Sequence, residues 1–89
     1  MAKTMIYRLT VDLARPGDPV PTTRYQFFGA TEDECEDQLI MQCQQDRILR
    51  HLVRGHDEYE GFVMHHAMAR VPLEKVQKGM MGYEPPRAV

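Results

Sequence analysis

Eighty-nine residues, 43% hydrophobic and 27% charged, describe one small domain with a thin core rather than a disordered or membrane-spanning chain. Eleven basic against 13 acidic residues leave a net charge of -2, which directs the chain toward neither nucleic acid nor anionic lipid. The longest apolar run is far below the ~18 residues a membrane helix needs, no secretory signal is visible, and Cys35 and Cys43 cannot form a disulfide framework, so a cytoplasmic setting with no membrane contact is expected.

Residues 5–13 alternate: Met5, Tyr7, Leu9, Val11 and Leu13 fall on one side of an extended chain, Arg8, Thr10 and Asp12 on the other, with Ile6 the exception. That period of two predicts a strand with one buried face. Residues 14–21 hold three of the six prolines and one glycine, which makes them a loop rather than a ladder. Residues 22–28 read as a second strand antiparallel to the first, with Tyr25 and Phe27 on one side and Phe28 on the other.

Thr31-Glu32-Asp33-Glu34 has the spacing of a capping box, in which Thr31 and Glu34 satisfy each other's backbone N–H groups. The five acids from Glu32 to Asp37 suit the positive end of a helix dipole. A helical region is predicted from here to about Arg54, with Gly55 as its stop. The apolar stripe changes phase along it. Cys35, Leu39 and Cys43 share one side, whereas Ile48, Leu49, Leu52 and Val53 cluster roughly 130° away at about 100° per residue. Either the helix breaks near residues 44–46, with Asp46 capping a second short helix, or it stays straight and packs its two ends on different surfaces. The break is the preferred reading.

Residues 61–71 form the third predicted strand, with Phe62, Met64, His66 and Met68 on one side and Val63, His65, Ala67, Ala69 and Val71 on the other. Both sides are largely apolar, which predicts a central strand covered twice. Pro72 ends it; residues 73–78 suggest one helical turn, and residues 80–89, with a double proline, a flexible extended tail. The expected architecture is α+β: a three-stranded mixed sheet in β-β-α-β order, strands arranged 2-1-3, under one helical layer. Residues 1–79 make the domain. The helical segment between the second and third strands acts as a crossover that lets those two run parallel. One helical layer covers one sheet face, so a homodimer, by face stacking or strand-edge pairing, is the expected means of covering the rest.

Motifs for chemistry are sparse. His51, His56, His65 and His66 with Cys35, Cys43, Asp57, Glu58 and Glu60 include metal-binding side chains, but no pair has ligand spacing. Adjacent His65 and His66 point to opposite faces of a strand, and Cys35 and Cys43 lie about 12 Å apart along a helix. No metal or other cofactor is expected; a site shared across a dimer through His51 or His56 is the residual metal reading. Cys35 near a helix start has a dipole that would activate a thiol, but Asp33, Glu34, Glu36 and Asp37 oppose it and its stripe position marks a packing residue. No glycine-rich phosphate loop or nucleophile elbow occurs, and no catalytic residue is assigned.

Two charged groups remain as partner-binding candidates. Arg47, Arg50 and Arg54 lie within roughly 60° on the predicted helix, suited to phosphates or to an acidic protein surface. Glu32, Asp33, Glu36 and Asp37 could imitate phosphates toward a basic partner. Tyr25 and Phe27 could stack bases in a nucleic-acid reading. Seven methionines are many for this length, and Met64, Met68, Met80 and Met81 could line an adaptable surface. The junction Tyr25-Gln26-Phe27-Phe28-Gly29-Ala30-Thr31-Glu32-Asp33-Glu34 resembles the strand-to-helix passage of many small α+β proteins. Among these are phage-encoded inhibitors of bacterial defence, including anti-CRISPR proteins. That resemblance spans about ten residues and is a folding motif, and it implies inhibition by surface occupation. The sequence therefore predicts a non-enzymatic protein that regulates or inhibits a protein partner. A nucleic-acid-binding module is the alternative, and a metal-binding or small enzyme domain the third reading.

Overall fold

The computed structural model describes residues 4–73, and within them the chain runs β1 (Met5–Ala14), β2 (Thr23–Gly29), α1 (Glu32–Cys43), α2 (Arg47–Val53), β3 (Val63–Pro72). The helical turn expected over residues 73–78 falls almost wholly outside the described residues, as do the domain boundary at residue 79 and the tail from residue 80 onward. The strands lie in the order β2-β1-β3. The expected mixed sheet is antiparallel in both ladders, from Tyr7 opposite Gly29 to Leu13 opposite Thr23, and from Met5 opposite Pro72 to Ala14 opposite Val63. The reason is β1: the crossover does make β2 and β3 run the same way, but β1 separates them, so neither hydrogen-bonds to the other.

The helical region is broken where its stripe changes phase. Thr31 and Glu34 form the reciprocal capping box, the Glu34 N–H donating to Thr31 Oγ1 (3.2 Å) and the Thr31 N–H to Glu34 Oε2 (3.0 Å). Gly29 precedes it because no larger residue fits; a Cβ there would sit 2.7 Å from that of Glu34. At the break, Asp46 is extended (φ -121°, ψ 106°) and its Oδ1 accepts from the Leu49 N–H at 3.0 Å, starting α2. Its Oδ2 accepts from the Tyr25 hydroxyl at 2.7 Å. One carboxylate thus both caps α2 and fastens it to β2. Gly55, at φ 116°, takes the left-handed position after α2.

With the bend in place both apolar clusters reach the same side of the sheet. Leu9, Val11, Leu13, Tyr25 and Phe27 from the strands meet Cys35 and Cys43 of α1 and Leu49 and Leu52 of α2, and Val11, Cys35 and Leu49 are fully enclosed. α1 lies over β2 and β1, while α2 reaches β3. Before β3 the chain makes a two-residue turn at Glu60 and Gly61, both with positive φ (50° and 84°), closed by paired Tyr59 and Phe62 backbone bonds of 2.9 Å. The Arg15 guanidinium sits 4.7 Å from the Phe62 ring centre and holds this turn against the end of β1.

One expectation is corrected. β3 is an edge strand, not a central one covered twice: its residues are half-buried or exposed and none is fully buried. α1 lies over β2 and β1, and only the seven-residue α2 reaches β3, so the strand stays half-covered. On the second face of the sheet, for which a covering partner was expected, the chain itself already encloses Ile6 and Phe28, each 4% exposed. The polar members of that face, Arg8, Thr10 and Asp12, are half-buried, with Asp12 accepting from Arg24 directly opposite at 2.8 and 3.1 Å.

Candidate functional site

The narrow helical layer leaves a groove between α1, α2 and β3. Two adjoining hollows of about 350 and 320 Å³ share Ile40 and Val53. Cys43, Gln44, Arg50 and Arg54 complete the first; Leu9, Glu36, Leu39, Met64 and His66 complete the second. The groove exists because α1 carries three consecutive apolar residues, Leu39-Ile40-Met41. At 100° per residue they cannot all face the sheet, and Ile40 and Met41 are left 56% and 64% exposed. The result is an apolar floor with cations at one end and a carboxylate and imidazole at the other.

The seven charged residues singled out from sequence do not converge on one site. Arg50 and Arg54 line the groove, but Arg47 turns away to Glu60, with contacts of 2.8 and 3.1 Å. Glu36 lines the opposite end. Glu32, Asp33 and Asp37 lie exposed on α1, the first two in its first turn, where the helix dipole accounts for them. Neither Arg50 nor Arg54 has an ion-pair partner among the described residues. Tyr25 and Phe27 are enclosed between sheet and helices (9% and 3% exposed), their rings stacked at 6.1 Å, so the base-stacking reading of this pair is overturned. Met64 does line the groove and Met68 packs against the core; Met80 and Met81 lie outside the described residues.

Burial shifts both cysteines and His51. Cys35 is fully enclosed and its thiol donates to the Tyr7 carbonyl at 3.5 Å. Burial pushes its pKa up, and Glu34, Glu32 and Glu36 push it further, which keeps it the inert thiol. Burial likewise raises Cys43, with Asp46 adding to it. Near the end of α2, His51 stacks on Tyr59 (centroids 4.0 Å, planes 11° apart) and meets His56 edge-on at 5.4 Å. Burial of His51 lowers its pKa, reinforced by His56 and by Arg50, Arg54 and Arg47. His65 and His66 do point to opposite faces of β3. Among the described residues no three His, Cys, Asp or Glu side chains gather in a way that could hold a metal ion.

Sequence reasoning found the two groove arginines and Met64 but missed Ile40 and Val53. The run Leu39-Ile40-Met41 was the available signal, since a helix with a single buried stripe has no use for three apolar neighbours in a row. No helix among the described residues is long and apolar enough to cross a membrane. Comparison with known proteins finds no matching family model, no matching curated protein and no matching solved structure.

Proposed function

We propose that this chain is a non-enzymatic, cytoplasmic interaction protein that regulates or inhibits a protein partner by occupying its surface, and that the groove is where it does so. The observation that carries the reading is the meeting of exposed Ile40 with Val53 and Met64 beside Arg50 and Arg54. An apolar floor rimmed by arginine is the composition of an interface centre, where desolvated apolar contacts and arginine supply most of the binding energy. The charge pattern fits a partner segment that offers an apolar side chain to the floor and an acidic one to Arg50 and Arg54. Anti-defence inhibition is the biological class that the short strand-to-helix resemblance suggests, and identification of the captured partner tests it.

The test is affinity capture from host lysate, with and without nuclease, using the wild type, Ile40→Asp, Arg54→Glu and Asp33→Asn. The expected result is a protein that survives nuclease, is retained by Asp33→Asn, and is lost about tenfold or more with Ile40→Asp and Arg54→Glu. Capture unaffected by Ile40→Asp defeats the groove. Loss on Asp33→Asn moves the interface to the acidic surface of Glu32, Asp33, Glu36 and Asp37. Recovery that collapses on nuclease treatment makes nucleic acid the ligand of Arg50 and Arg54.

A further inference from the structure

We propose that a second copy of this chain pairs antiparallel with the outer edge of β3, about a two-fold axis at Ala67, and that the groove is complete only in that pair. The inference rests on the groove being the interaction site and adds what extends its floor beyond β3.

The two edges of the sheet are built differently. The β2 edge is seven residues long, and α1 guards it, the Gln38 side-chain amide donating to the Phe28 carbonyl at 2.6 Å. The β3 edge is ten residues long and has no neighbouring strand among the described residues. Natural edge strands are protected against pairing by lysines, inward charges, prolines, bulges or short length. β3 carries such devices only at its far end, where Arg70 lies over the Tyr7 ring and Pro72 closes the strand; from Val63 to Ala69 it has no Lys, Arg, Asp, Glu or Pro, and its ten-pair register with β1 is unbroken. An edge of this kind is a pairing template.

Self-pairing satisfies it without conflict. A two-fold axis normal to the sheet keeps the helix-facing side of one copy on the helix-facing side of the other, so residues of like parity meet. The register that overlaps Val63 to Val71, with Pro72 left outside, centres on Ala67, an exposed residue with a small side chain. Val63 then lies opposite Val71 of the second copy, His65 opposite Ala69, His66 opposite Met68, and Arg70 opposite Met64. No charge faces its own kind, and half-buried Met64, Met68 and Val71 gain cross-strand neighbours.

The groove supplies the functional consequence. Its floor includes Met64 and His66, whose strand is the sheet's outer one, so this hollow lies next to the pairing edge. In the pair a continuous six-stranded sheet forms, and the two grooves face each other across a shared floor contributed by both β3 strands.

The experiment is sedimentation of the full chain across micromolar concentrations, together with charge variants on the axis. Wild type sediments as a dimer; Ala67→Glu and Ala67→Lys each sediment as monomers, because like charges then stand directly opposite. Mixing those two restores the dimer. Ala67→Cys cross-links quantitatively under mild oxidation, as directly opposed Cα atoms about 4.5–5.5 Å apart permit, while buried Cys35 and Cys43 do not. A wild type that stays monomeric, or a dimer indifferent to both charges, overturns the inference. A monomeric chain whose Ile40→Asp variant loses the captured partner defeats the pairing and leaves the groove. A chain that pairs but keeps its partner in Ile40→Asp defeats the groove and leaves the pairing.

Discussion

β2 and β3 flank the same central strand in the same antiparallel sense, yet one is core and the other is surface. On the β2 side Tyr25, Phe27 and Phe28 are all buried; on β3 no residue is. Composition does not explain this, because β3 is at least as apolar. Position of the helices does: the capping box at Thr31 starts α1 directly after β2, and Asp46 ties α2 back to the same strand through Tyr25. Packing is concentrated where α1 lies over β2 and β1, and β3, reached only by α2, is left half-buried or exposed.

The sharpest way to break that contrast is to truncate one residue in each half. Phe27→Ala should destabilise by about 3–5 kcal/mol, whereas Met64→Ala, half-exposed in the groove, should stay within about 1 kcal/mol. Urea denaturation checks both, and equal losses would erase the distinction. Next in size is the tie between helix and strand. Asp46→Ala removes a helix cap and the acceptor of a part-buried hydroxyl together, an expected loss of about 2–3 kcal/mol, while Tyr25→Phe removes only the second, about 1 kcal/mol. If the two variants are equally destabilised, the cap contributes nothing. Thr31→Ala should follow at about 1 kcal/mol, seen as a lowered thermal midpoint.

The smallest effect belongs to the β3 side and depends on pH. The fold lowers His51 below its ordinary value of 6.5, so the folded chain holds this proton less readily than the unfolded one. The contribution is therefore fully present above pH 6.5 and is lost as pH falls below it. Denaturation midpoints should decline from neutral pH toward 5 and should decline less in His51→Gln. An unchanged slope would place the sensitivity elsewhere.

Sequence carried the local features well. The alternation of β1, the capping box and the break at residues 44–46 follow from short-range periodicity and capping chemistry, and the 2-1-3 order from the helical crossover between β2 and β3. What it did not carry is coverage. The apolar pattern of β3 reads the same whether helices lie over it or not, so how little of it is covered was invisible, even though the 2-1-3 order already set it at an edge. The Tyr25–Asp46 and Arg47–Glu60 contacts join residues far apart in the chain, and nothing local announces them. Arg50 and Arg54 were legible because helical spacing groups them; Ile40 was signalled only by the Leu39-Ile40-Met41 run, and Val53 not at all, because whether it faces in or out depends on how α1 and α2 are angled.

Asp46 has one more implication, for the conformations the chain must avoid. Apart from residues 44–46, nothing in the stretch from Glu32 to Arg54 opposes a single straight helix, and such a helix is a credible rival to the native arrangement. In that rival only one of the two apolar clusters can rest on the sheet, and the other is stranded in water. The energy gap that selects the native basin is thus concentrated in one tripeptide. Substitutions there would be felt as a change in which structure the chain adopts, whereas losses elsewhere in the core lower the stability of the same one.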